Sequence, residues 1–335
     1  MVAPFFTREM AESMRPGIQR TVDEGIAKMR AAAAEGGGPA LQPVDLVPHL
    51  ALPVPSITIF SLLGLPSADM ARLLGFSSVR SNGSSTAAEA AAANDDLLAY
   101  LSAFVQRREA ELAGADPDPA AAGAPKDILS RLILEQRRRG ELTQDALVQV
   151  AFLLLVAGNA TAVSMIALGV VTLLQHPEQL AALQADWSLL GPAVEELVRF
   201  HTASSFATRR VALVDVDLHG QRIRKGEGVV AATQSANRDE SVFGDDAEHF
   251  DIRRFAKGGS AKGPQLGFGT GAHQCVAEWL ARVELELALG ALFKELPGLR
   301  LAGSFDDVKY SEPARDVGIG ELFVTWDAEP KRSSL

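Results

Sequence analysis

The chain of 335 residues has one cysteine, two tyrosines and no excess of positive charge, and each shortage removes a class of function. A single cysteine cannot pair within the chain, so no internal disulfide braces the fold and a reducing, cytoplasmic setting is expected. A structural four-cysteine zinc site is excluded by the same count. Lys and Arg number 32 against 42 Asp and Glu, a net charge of −10, which argues against nucleic acid as a partner because phosphate binding needs a basic surface. Residues 1–30 carry Arg8, Glu9, Glu12, Arg15 and Arg20 without a sustained apolar run, so they read as neither a secretory signal nor an anchor. No strand–GxGxxG–helix unit is evident, so no Rossmann dinucleotide site is expected.

What the chain does have is apolar substance: 47% hydrophobic residues, enough for a large core. Helical patterns occupy residues 8–34, 56–64, 67–82 and 86–113, then resume near Lys126 and continue through 177–184 and 192–201. The proline-rich stretch 114–125 reads as a surface loop within one domain of residues 1–335. The Arg137–Arg139 run reads as a solvated loop. Between Phe206 and Thr233 β-branched residues predominate, with His219–Gly220 as a turn, and short strands are expected near Arg300 and over 322–326. The fold class is therefore mainly α with a small β region. From Ala146 to Leu174 no residue is charged, which satisfies the ~20-residue length of a membrane span. Gln149, Asn159, Thr161 and Ser164 interrupt it, so it reads as a helix buried on all sides rather than a membrane contact.

Cys275 closes the glycine-rich segment GFGTGAHQC, residues 267–275, ahead of a helical pattern in Val276, Leu280, Val283, Leu287 and Ala291. A thiol at a helix N-terminus is expected to ionise more easily, which favours metal ligation, and Gly267, Gly269 and Gly271 let the backbone approach a flat ligand. The plainer alternative is a buried cysteine acting as a small hydrophobe. Upstream, Glu196 and Arg199 share one helix face three residues apart, and EHFDIRRF follows at 248–255.

In this order, these elements resemble the cytochrome P-450 (heme-thiolate) superfamily. Phe268, Gly271, His273 and Cys275 match its cysteine signature, with Ala277 where glycine is commoner. The resemblance implies heme b with Cys275 as axial ligand, His273 and Arg210 at the heme propionates, and Glu196, Arg199 and Arg254 as a buried structural network. In Ala157-Gly158-Asn159-Ala160-Thr161 the position before the threonine, usually acidic in monooxygenases, is Ala160. Without an acid beside the alcohol, proton delivery for O–O cleavage is less well served, although Thr161 can also simply bond a preceding carbonyl.

A narrower similarity, carried by AFLLLVAGNAT (151–161), FHTAS (200–204), QSANRDE (234–240) and RDVGI (315–319), is to the nitric oxide reductase branch of fungi and algae. It implies reduction of nitric oxide to nitrous oxide with electrons taken directly from NADH or NADPH and no separate reductase. Thr161 would then orient the nicotinamide, Ser204 and Asp316 would deliver protons, and Arg80 would receive the cofactor phosphates. A monooxygenase acting on a small organic substrate and a heme-poor, inactive fragment are the competing readings. The same resemblance implies a P-450 fold lacking its N-terminal strands and early helices, since Met1–Pro4 match an interior segment of the relatives.

Overall fold

The computed structural model describes residues 2–35, 42–81, 86–116, 118, 123–203, 209–310 and 318–328, with backbone only for 77–81. Ser204 and Asp316 lie outside the described residues, as do 117 and 119–122 of the proline-rich loop, and Arg80 is described only as helix backbone. The chain begins with helix α1 (Arg8–Ala34), strand β1 (Val44–Asp45) and helices α2 (Pro53–Leu63), α3 (Met70–Ser81), α4 (Ala87–Glu111) and α5 (Ile128–Leu132). Next come α6 (Gln144–Ala157), α7 (Ala160–Gln175), α8 (Pro177–Ala185) and α9 (Leu190–His201). Strands β2 (Arg209–Val211), β3 (Val216–Leu218), β4 (Gln221–Ile223) and β5 (Gly228–Val230) lead to the short helices α10 (Thr233–Ala236) and α11 (Glu240–Phe243). Helix α12 (Glu278–Glu295) and strands β6 (Arg300–Leu301) and β7 (Phe323–Thr325) complete the fold.

Local chemistry sets these boundaries. The Thr7 hydroxyl accepts the Met10 N–H at 3.2 Å to start α1, and Thr86 with Glu89 forms a capping box at the start of α4. Ile18, Val22, Ile26, Met29 and Ala33 recur along one face of α1 and are all buried, where that helix packs along α12. Helices α2, α7 and α9 also meet α12, so the helix that follows the cysteine runs through the centre of the core.

The uncharged stretch is two helices rather than one. The Gly158 N–H closes α6 on the Leu154 carbonyl at 2.9 Å, and Asn159 departs from helical angles at φ −112°, ψ −65°. Its side-chain oxygen accepts from the Ser56 hydroxyl of α2 at 2.8 Å, a tertiary bond that ties the break to α2. Nor is the stretch buried on every side: Gln149 and Ala157 are exposed and Leu153 is 63% exposed. These residues recur every fourth position, so one face of α6 is open.

The β region forms two separate antiparallel ladders, β2 with β5 and β3 with β4. His219 (φ 48°) and Gly220 (φ 80°) turn the second as expected of a two-residue hairpin loop. Strand β7 pairs with both β6 and β1 in a three-stranded sheet. β1 has only two residues and escapes any periodicity. The arginine run is solvated, as expected, at Arg138 and Arg139, which are exposed in a turn, while Arg137 is half-buried. Arg137 pairs with Glu109 at 2.9 Å, and Arg138 donates to the Ala115 carbonyl at 2.7 Å and to that of Leu112, tying the end of α4 to the segment before α6.

Candidate functional site

The cysteine loop is a tight, self-bonded structure. The Cys275 N–H donates to the Phe268 carbonyl at 2.8 Å, Gly269 to Leu266 at 2.9 Å and Gln274 to Gly271 at 3.0 Å. Gly269 (φ 70°) and Gly271 (φ 76°) hold left-handed angles that other residues rarely adopt. Gly267 is constrained differently, because a Cβ there would fall 2.5 Å from Val198 Cγ1 and 2.7 Å from the Val198 carbonyl oxygen. The loop is thus laid directly on α9. Gly267→Ala is expected to lower stability by about 1–3 kcal/mol through this overlap, seen as a depressed unfolding midpoint; an unchanged midpoint would mean that the loop is not seated on α9.

Cys275 is half-buried, and α12 begins three residues later, at Glu278. Burial corrects the expectation of an easily ionised thiol. Burial pushes the Cys275 thiol up; the Ala277 N–H opposes this, the Glu278 carboxylate adds to it and Arg282 acts against it. In the protein alone the thiol is therefore favoured, and a thiolate needs a cation such as a metal ion bound to it. Arg282 supports the loop from beneath. Its guanidinium lies 4.5 Å from the ring centre of Phe268 and 4.9 Å from that of Trp279, and it bonds Glu278 at 2.9 Å as well as Glu195.

The expected buried network is present. Glu196 and Arg199 are fully buried and bond through both carboxylate oxygens at 2.7 Å. Arg199 also donates to the carbonyls of Asn237 and Ala247 at 2.7 Å and of His249 at 3.1 Å. Arg254 reaches Glu196 at 3.2 Å, Asp246 at 2.8 Å and the His249 carbonyl at 3.0 Å. Asn237 links this network to the cysteine loop, because its side-chain oxygen accepts the Leu266 N–H at 2.7 Å.

Other expected site residues are less tied down. Thr161 is half-buried near the start of α7, and its hydroxyl donates to the Ala157 carbonyl at 3.4 Å, the plainer role foreseen for it. Arg210 is exposed on β2, where its guanidinium bonds the Arg209 carbonyl at 2.9 Å. Gly271 and His273 form an exposed 3-10 turn. Sequence reasoning passed over Glu284, which is buried on α12, where burial pushes its carboxyl up to about 8. The signal was available: Glu284 lies four residues from both Leu280 and Ala288, on the buried face of α12.

Among the described residues no three His, Cys, Asp or Glu side chains gather to hold a bare ion. A metal at Cys275 would take its remaining ligands from elsewhere, which suits a porphyrin iron held by one thiolate. The loop glycines fit such a group, since a Cβ on Gly271 would meet nothing within 4 Å and one on Gly269 only backbone at 3.9 Å.

Comparison with known proteins agrees with this geometry. Residues 58–296 match the family described as Cytochrome P450. Cytochrome P450 55A3 of Fusarium lichenicola is 47% identical over 97% of this chain and 74% of its own length. The vitamin D3 dihydroxylase of Streptomyces griseolus is 39% identical over 96% of this chain and 72% of its own length. The crystal structure of CYP105P1 in complex with filipin I superposes with a TM-score of 0.85 at 37% identity, covering 98% of this chain and 76% of that one. With its cysteine loop, its buried Glu-x-x-Arg network and these relatives, the chain belongs to the cytochrome P450 family.

Proposed function

We propose that this chain is a heme-thiolate nitric oxide reductase of the cytoplasm that converts two NO, one NAD(P)H and one proton to N2O, NAD(P)+ and water. The observation that carries this reading is the break between α6 and α7, where Thr161 stands beside Ala160 and no residue from 146 to 175 is charged. The acid that would serve oxygen activation beside the alcohol is missing from its own helix. Heme, when bound at Cys275, supplies the redox-active iron at which nitric oxide is reduced. The chain's part is to hold and orient. Cys275 would donate the thiolate, the backbone bonds of the Phe268–Cys275 loop would hold it in place, and Arg210 and His273 would serve the propionates as hydrogen-bond donors. Thr161 would help orient the nicotinamide, Ala157 would line the cofactor site, Arg80 would receive the nucleotide's phosphates, and Ser204 and Asp316 would deliver the proton.

The test is anaerobic. Heme-reconstituted protein with NO and NADH or NADPH, and no added reductase, is expected to oxidise one nucleotide per N2O formed. The second reading, a monooxygenase with an external electron donor, is favoured by hydroxylase relatives such as the vitamin D3 dihydroxylase. Failure of NO to drive nucleotide oxidation, with substrate hydroxylation on addition of a reductase, would replace the first reading by the second.

A further inference from the structure

Thr202, at the C-terminal cap of α9, is buried and holds left-handed angles, φ 45° and ψ 61°. A β-branched residue rarely adopts them, and a glycine there would be free of strain. Such a conformation persists only where the surroundings over-determine it. Here they do so through the hydroxyl, which donates to the Arg199 carbonyl and accepts from the Asn237 side-chain amide, both at 2.8 Å. The Thr202 N–H also bonds the Val198 carbonyl at 3.0 Å.

Asn237, in the QSANRDE segment, is fully buried, and its side chain has one end on this turn and the other on the cysteine loop. The Leu266 N–H can only donate, so it faces the amide oxygen, at 2.7 Å, and the amide nitrogen is thereby turned to Thr202. A threonine hydroxyl has a single proton, which Thr202 donates to Arg199, so its oxygen is the acceptor for Asn237. The bonds form one directed chain, from the Leu266 N–H through Asn237 and Thr202 to the Arg199 carbonyl. The backbone of Asn237 is pinned separately: its carbonyl accepts from the Arg199 guanidinium at 2.7 Å and its N–H donates to the Thr233 carbonyl at 2.9 Å. The neighbouring Arg238 donates to the Phe200 carbonyl at 2.8 Å. Asn237 and Arg238 therefore hold the same end of α9 on which Gly267 of the cysteine loop is laid, against Val198.

From this geometry we infer that Asn237 is a positioning residue: it sets the head of the cysteine loop against the strained turn at Thr202, two residues before Ser204, so that the thiolate side of the heme and the chain leaving α9 are held as one body. The inference rests on heme at Cys275 and holds under either reading of the reaction.

Two variants at Thr202 separate this role from that of a bond that merely adds stability. Thr202→Gly relieves the backbone strain while it removes the hydroxyl, and Thr202→Ser keeps the hydroxyl. Both are compared with wild type as heme-reconstituted protein, reduced under carbon monoxide, by amide hydrogen exchange and by the lifetime of the red-shifted Soret band. In Thr202→Gly, peptides covering 264–275 are expected to exchange about tenfold faster, the effect of one buried hydrogen bond, and the band to be lost about tenfold faster, while peptides of α1 exchange as in wild type. Thr202→Ser should match wild type in every respect. Faster exchange in α1 as well would mark a loss of global stability and overturn the inference. So would a cysteine loop or a band unchanged in Thr202→Gly, or a serine variant as loose as the glycine one. If Thr202→Gly does not fold, wild type carries the test: in NMR of the diamagnetic carbon monoxide complex, the side-chain amide protons of Asn237 and the Leu266 amide proton must show equal protection, and unequal protection is equally fatal.

Discussion

Cys275→Ala is expected to abolish the strongly red-shifted Soret band of the carbon monoxide complex of the reduced, heme-reconstituted protein and to lower turnover more than about 100-fold, since losing even a supporting residue around a metal costs 10- to 100-fold. The fold should survive. The loop is held by backbone bonds, chiefly the Cys275 N–H to the Phe268 carbonyl at 2.8 Å, and alanine keeps them. The thiol is only half-buried, so removing its sulfur leaves a small void. Burial favours the thiol over the thiolate at this position, so the negative charge on sulfur and the iron are mutually dependent. Adding heme to wild type should therefore release a proton from Cys275, and the variant should not release it. A red-shifted band that persists in Cys275→Ala would remove this residue as the ligand.

The parts legible in the sequence are those set by local pattern or by spacing to a chemical group. Helix α1 follows from its apolar periodicity and the glycines beyond it, and the His219–Gly220 turn from two residues that tolerate positive φ. Glu196, Arg199, Arg254 and Cys275 were legible through the resemblance, because the family carries these residue types in this order. What stayed hidden depends on contacts between distant residues. The break at Asn159 is tied to α2 by Ser56, 103 positions away. The reluctance of Cys275 to ionise depends on burial by residues distant in sequence, which helical periodicity does not reveal. Glu284 was visible as a polar residue on an apolar face, but the burial that pushes its carboxyl up comes from the helices packed against α12, which no pattern on α12 reveals.

Glu196→Ala is expected to destabilise the protein by about 3–5 kcal/mol, the loss that follows when a buried ion pair is broken from one side. The carboxylate accepts from both Arg199 and Arg254 and, at 2.9 Å, from the Asp251 N–H. Its removal leaves Arg199, fully buried, without a carboxylate partner and Arg254, only 1% exposed, with Asp246 alone. The carbonyls of Asn237, Ala247 and His249 still hold Arg199, so local unfolding rather than a neat cavity is the expected relief. Asn237 carries the disturbance to the Leu266 N–H at the head of the cysteine loop. Heme retention should therefore fall along with the unfolding midpoint, although Glu196 touches neither the loop nor its cysteine directly. Glu196→Gln separates the two contributions: it keeps the shape and one acceptor but loses the charge, and should recover part of the stability. If Glu196→Ala left the midpoint unchanged, the network would be contributing specificity of fold rather than free energy, and heme retention would then be the property to measure.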